Sequence, residues 1–141
     1  MTHLVDTSVW HRYGRSPAVQ SAVDGLVSAG NLLTTCPVIV AEYCFSARNT
    51  AELQELQTDM GLLYLLESDD LTPRLKSVQA ALWSTGRARA AGSSDTLTTA
   101  YALEHNQTVV TCDVDFVHIA EALEKAGTEP PLRVIHVREA A

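Results

Sequence analysis

A three-layer α/β domain with a mainly parallel sheet flanked by helices is the fold this sequence predicts. Short apolar, β-branched runs alternate along the chain with longer segments of helical periodicity, the pattern of strands joined by crossover helices. At 141 residues there is chain enough for one core and too little for two, so residues 1–141 read as a single domain. No internal repeat, low-complexity tract or Gly/Pro/Ser-rich linker interrupts it.

The opening HLVDTSVW is a short buried strand ending at Asp6, with Thr7 and Ser8 placed to start a helix. From Pro17 to Val27, the apolar residues Val19, Val23, Leu26 and Val27 recur at helical spacing. GNLLTTC is a second short strand. Pro37 then takes a favoured first helical position, and PVIVAEYCFSARN continues as a helix to a stop at Asn49. TAELQELQTDMGLL places Leu53, Leu56, Met60 and Leu63 on one face of an amphipathic helix with a core side, and Leu62 to Leu66 carries a short strand. Thr72-Pro73 opens a further helix, with Leu75, Val78 and Leu82 facing inward. It gives way at STGRARAAGSS, the most loop-like segment of the chain. Asp95 falls in the first turn of a helix running to about His105. Thr108 to Cys112 is a β-branched strand, DFVHIAEALEKAG a helix closed by Gly127, and LRVIHV the last strand.

Composition removes several function classes. No apolar run approaches the ~20 residues that would cross a bilayer, and MTHLVD reaches an acid at once, unlike a signal peptide. A soluble cytoplasmic protein with no membrane association is the expectation. The three cysteines, Cys36, Cys44 and Cys112, form no Cys-x-x-Cys pair and sit in apolar stretches, as reduced buried thiols do. The five histidines match no zinc-ligand spacing. A net charge of −7 argues against a nucleic-acid partner. That argument weakens if some acids hold divalent cations: without Asp6, Glu42, Asp95, Asp113 and Asp115, 12 acids remain against 10 bases.

These five acids are the candidates for chemistry. In open parallel sheets the ligand crevice lies outside the carboxyl ends of the strands. Asp6 ends the first strand, and Asp113 and Asp115 follow Thr108–Cys112, so they share one edge if those strands are neighbours. Each also has a simpler reading. Asp6 serves as a helix N-cap, Asp95 as an acid in a first helical turn, and Asp113 or Asp115 as the cap of the helix near Phe116, with Asp115 the better candidate for a pure cap. Glu42 resists such a reading, as the one charged residue between Pro37 and Ala47, on the same helical face as Val38 and Phe45. Burying it bare costs on the order of several kcal/mol. It needs a cation held with other acids or, alternatively, an arginine from elsewhere. Clustered carboxylate oxygens suit Mg²⁺ or Mn²⁺ rather than Zn²⁺, and their natural chemistry is cleavage of phosphate esters by an activated water.

With these residues in view the chain resembles the PIN-domain ribonucleases, most closely the VapC-type toxins of bacterial toxin–antitoxin pairs. LVDTSVW, PVIVAEY, SSDTLTTAYALEHNQTVVTCDVDF and RVIHV carry the likeness in order along the whole chain. The resemblance implies a Rossmann-like PIN fold and an acidic pocket for Mg²⁺ or Mn²⁺. The family's acids fall on Asp6, Glu42, Asp95 and Asp113, and an additional acid found in many members on Asp115. It implies endonucleolytic cleavage of RNA, a homodimer, and neutralisation by a small cognate VapB-type antitoxin docked over the groove. Thr7, Ser8, Ser94 and Thr111 stand where hydroxyls often support the acids in such proteins. The chain departs from the pattern at Cys112, where members often carry Arg. It departs again in the threonine-rich helix after Asp95, with Thr96, Thr98 and Thr99.

Contacts to the RNA backbone would come first from Arg87 and Arg89 in STGRARAAGSSD, then from Arg12 and Arg15, all of which read equally as surface arginines. Trp10 and Trp83 offer stacking surfaces, although aromatics at helical spacing are more often core or interface. A receiver domain would need a lysine at a strand end, and Lys76 and Lys125 lie in helices. A haloacid-dehalogenase phosphatase would need Asp at position 8, which is Ser8, and no P-loop motif is present. The remaining alternative is a catalytically inactive PIN-like protein or RNA-binding module with structural acids.

Overall fold

A computed structural model describes residues 1–89 and 91–139 of the chain. In chain order the elements are β1 (Thr2–Val5), α1 (Thr7–Tyr13), α2 (Pro17–Ser28), β2 (Leu32–Thr35), α3 (Pro37–Phe45), α4 (Thr50–Met60) and β3 (Tyr64–Leu65). There follow α5 (Thr72–Ser84), α6 (Ser93–Glu104), β4 (Thr108–Thr111), α7 (Asp115–Lys125) and β5 (Arg133–His136). The strands form one sheet of five in the order β3-β2-β1-β4-β5, every pairing parallel.

Period-two alternation divides the strand residues between two cores. Leu4 and Val109 face a large cluster with Ile39, Val78, Leu82, Phe116, Ile119 and Leu123, contributed by α3, α5 and α7. Their neighbours Val5 and Val110 face the opposite side and pack on Val9, Val19 and Val23 of α1 and α2. Helices on both faces of a fully parallel sheet make the three layers. Between β1 and β4 the strand order reverses, because the chain goes outward from β1 through β2 and β3 and returns to lay down β4 on the other side. Such a switch point opens a crevice at the carboxyl ends of the strands, and β1 and β4 end in Asp6 and Asp113.

Several local expectations change. The helix begun at Pro37 ends at Phe45, not Asn49, because Asn49 caps α4 by accepting the Glu52 N–H at 2.9 Å. Ala41 and Phe45 are therefore exposed, Phe45 to 91%, and α3 is apolar without being enclosed. The core face of α4 is only partly used: Met60 is buried, while Leu53 and Leu56 are half-buried. Trp10 packs against the core, but Trp83, at the end of α5, is 62% exposed. Cys36 is buried, Cys44 and Cys112 are half-buried, and all three are free thiols. The threonines after Asp95 are buried all the same: Thr96 and Thr99 donate to the carbonyls of Gly92 and Asp95 one turn back, while Thr98 Oγ1 has no hydrogen-bond partner among the described residues. No described helix is long and apolar enough to cross a membrane.

Candidate metal centre

The β1–β4 ladder extends one step beyond β1, where the Asp6 N–H donates to the Val110 carbonyl at 2.9 Å. That bond fixes Asp6 at the rim, with its residue only 5% exposed. Its Oδ2 accepts from Ser8 Oγ at 2.6 Å, Thr111 Oγ1 at 3.1 Å and the Ser8 N–H at 3.4 Å. Asp6 is thus the N-cap of α1. Capping occupies one oxygen, and Oδ1 enters no hydrogen bond found among the described residues. The cap and a ligand role are compatible in one carboxylate.

The turn after β4 is held by the same hydroxyls. Ser8 Oγ accepts the Cys112 N–H at 3.0 Å, and Thr111 Oγ1 accepts the Asp113 N–H at 2.9 Å. Asp113 Oδ1 then accepts the Asp115 N–H at 2.9 Å, at the start of α7. The N-cap position of α7 is Val114, without a side-chain cap bond, so neither Asp113 nor Asp115 is its N-cap; the Asp113 contact is a turn bond leading into the helix. The helix begins at Asp115 rather than Phe116, which puts Asp115 in the first turn with no cap to provide. Asp95 sits in the first turn of α6. Asp95, Asp113 and Asp115, all half-buried, each offer an oxygen, and these three oxygens lie within 4.8 Å of one another.

Glu42 reaches the site from α3, where its Oε1 accepts from Thr7 Oγ1 at 3.3 Å. It and Asp6 stand outside the three-oxygen group but inside its field. Burial, followed by the charges of Asp6, Asp113, Asp115 and Glu42, pushes the Asp95 carboxyl up to about 7. Burial and the charge of Asp6 raise Glu42 as well, against the opposing effect of the Thr7 hydroxyl. Asp6, Glu42, Asp95 and Asp113 line one cavity of about 570 Å³. None of the ion pairs among the described residues involves any of the five acids, so no arginine compensates Glu42. Closely spaced carboxylates with no ion-pair partner of their own fit a hard divalent cation.

Of the four hydroxyls singled out in the sequence, Thr7, Ser8 and Thr111 contact these acids. Ser94 is half-buried and forms no such contact among the described residues. The arginines separate. Arg12 lines the acidic cavity, donating from Nη1 to the Ser8 carbonyl at 2.8 Å with Nε 3.5 Å from Glu139. Arg87 is turned to Glu121 of α7 at 3.0 Å, and Arg15 and Arg89 are exposed. His11 and Phe45 also line the cavity and were not foreseen. His11 precedes Arg12 in the last turn of α1, which gave a signal; Phe45 looked like core.

A family model described as the PIN domain matches residues 3–122. Among solved structures, the chain is similar to VapBC2 from Rickettsia felis bound to a DNA fragment from their promoter, at 16% identity and TM-score 0.72, over 96% of this chain and 98% of that one. It is similar to VapBC-1 from nontypeable Haemophilus influenzae at 16% identity and TM-score 0.73, with 96% and 98% covered. VapBC-5 from Mycobacterium tuberculosis, a member of the VapBC family of toxin-antitoxin systems, matches at 20% identity and TM-score 0.61, with 97% and 98% covered. At these identities the likeness is one of fold. No curated protein sequence matches the chain.

Proposed function

Since the chain belongs to the PIN domain family, we propose that it is the VapC-type toxin of a toxin–antitoxin pair, an endoribonuclease dependent on Mg²⁺ or Mn²⁺. The observation that carries this reading is the group of Asp95, Asp113 and Asp115 oxygens within 4.8 Å of one another, with Asp6 and Glu42 adding charge to the same cavity. Asp95, Asp113 and Asp115 would hold the cation, and the free Oδ1 of Asp6 and the carboxylate of Glu42 would complete the acidic wall. Bound there, the metal supplies an acidified water and offsets charge on the phosphate oxygens. Ser8 and Thr111 keep Asp6 and Asp113 in register. Arg12 stands at the cavity edge as the nearest contact for RNA phosphate. Retention of all five acids favours the nuclease over an inactive module.

Solved neighbours named as VapBC complexes support a small VapB-type antitoxin as partner. Phe45, exposed at the lip of the acidic cavity, gives that partner an apolar foothold over the site. Exposed Leu62, Tyr64 and Leu65 at the β3 edge of the sheet support a homodimer.

The test is cleavage of single-stranded RNA with Mg²⁺, with Mn²⁺ and with chelator, alongside Asp95→Asn and Asp113→Asn. Cleavage should require the metal and disappear in both variants. Cleavage that survives chelation, or an unfolding temperature indifferent to metal in the wild type, overturns the reading.

A further inference from the structure

A second cleft, of about 550 Å³, borders the acidic cluster at Asp115. It is lined by Trp83, Ala88, Arg89, Ala91, Gly92 and Asp115. Its walls come from the end of α5, the loop after it, the start of α6 and the first turn of α7. Local geometry builds it. Gly86 adopts φ +74°, and the Arg87 N–H returns to the Leu82 carbonyl at 2.8 Å, so the chain reverses after α5, and Arg89 and Trp83 line the same cleft. The two loop arginines then have different fates. Arg87 is committed to Glu121, whereas Arg89 belongs to no ion pair found among the described residues.

We propose that this cleft receives a nucleobase of single-stranded RNA stacked on Trp83, with Arg89 on the adjoining phosphate. The proposal rests on the nuclease reading above. An indole 62% exposed at a helix end contributes nothing to the core and needs an occupant to leave water. Asp115 is both a wall of the cleft and a member of the carboxylate cluster, so an occupant here abuts the position where a phosphodiester would be cut. Arg12 and His11 line the other cavity that the cluster borders, so RNA over the cluster has basic residues in both cavities. The other lining residues Ala88, Ala91 and Gly92 are small, and the indole is largely exposed. A guanidinium and an exposed indole lining one cleft match a nucleotide, which presents a π surface and an anion together. A second copy of the chain would need only the apolar face, and that occupant is an outcome of the test.

Steady-state cleavage of a random-sequence pool of single-stranded RNA in Mg²⁺ compares the wild type with Trp83→Ala, Trp83→Phe and Arg89→Ala, each also sedimented. Trp83→Ala should raise KM about 10-fold with kcat nearly unchanged, and Trp83→Phe should recover most of that loss. Arg89→Ala should raise KM and flatten its salt dependence. The unfolding temperature and sedimentation should not move, because Trp83 is exposed. An unchanged KM in Trp83→Ala, or a shift of that variant to a smaller species, overturns the cleft and leaves the nuclease reading standing. A wild type that shows no metal-dependent cleavage overturns both.

Discussion

Thr111 Oγ1 donates to Asp6 Oδ2 at 3.1 Å and accepts the N–H of Asp113 at 2.9 Å. One fully buried hydroxyl therefore ties the carboxylate that ends β1 to the backbone that carries the next acid after β4. Thr111→Val keeps the β-branched shape and removes both bonds. Leaving the Asp113 N–H and one Asp6 contact unpaired should cost about 1–3 kcal/mol of stability. Cleavage should fall by about 10- to 100-fold, as when a group supporting a metal ligand is lost. Urea unfolding and RNA cleavage read the two effects, and Thr111→Ser should restore most of both.

The Asp95 carboxyl gives the metal-free protein a pH dependence of definite sign. Its pKa is about 7 folded against an ordinary 3.8, so between those values the folded state binds more protons than the unfolded one. Its contribution to stability is complete below 3.8 and lost as pH rises through about 7. The unfolding temperature of chelated wild type should therefore fall more between pH 5.5 and pH 8 than that of Asp95→Asn. Mg²⁺ favours the charged form, so its stabilising effect should be larger at pH 8 than at pH 5.5. Equal metal effects at the two pH values would remove Asp95 from the ligand set.

Glu42 has the same sign for related reasons, burial first and then the charge of Asp6. Glu42→Gln keeps the side-chain length and an oxygen for the Thr7 hydroxyl while removing the charge. Without metal at pH 7.5 this variant should be more stable than the wild type in urea. With Mg²⁺ it should cleave RNA at least about 10-fold more slowly, the exchange of stability for activity expected of a strained site. A variant that loses stability without metal would show that the Glu42 charge is compensated by some other group.

The order of strands and helices was legible because each strand is short, apolar and bounded by helical periodicity. The adjacency of β1 and β4 was not, since no local pattern states which strands pair; it had to be assumed before Asp6 and Asp113 could share an edge. Glu42 stood out because a lone charge in an apolar helix needs a reason. The same apolar composition misled at Phe45, where hydrophobicity marks a surface that solvent leaves bare as readily as a core. That neither Asp113 nor Asp115 is the N-cap of α7 turned on a helix start displaced by one residue, which is finer than sequence signals resolve. Ser94 shows the opposite error: a hydroxyl beside an acid in sequence is carried away from it by the helix turn.

The sequence ranks Arg87 ahead of Arg12 as a contact for RNA, and the structure gives the two different surroundings that lead to different outcomes. The Arg12 guanidinium lies on the wall of the acidic cavity yet forms no ion pair with its acids; its partners are the Ser8 carbonyl and Glu139. Burial raises the thiol pKa of Cys112, one residue from Asp113, and the Arg12 charge opposes that rise. On the proposed function, the acids are thus left for a cation and a positive group borders the same cavity. Arg12→Ala should weaken RNA binding and reduce the salt-dependence slope by about 0.7, one phosphate contact on a single strand. Its effect on stability should be small, because the Glu139 pair is largely exposed. Arg87→Ala should leave the slope unchanged, since its guanidinium is already bound to Glu121. Fluorescence anisotropy of a labelled RNA across a salt series, with Asp95→Asn as background to prevent cleavage, measures both slopes. Equal slopes for the two variants would place the RNA path away from α1.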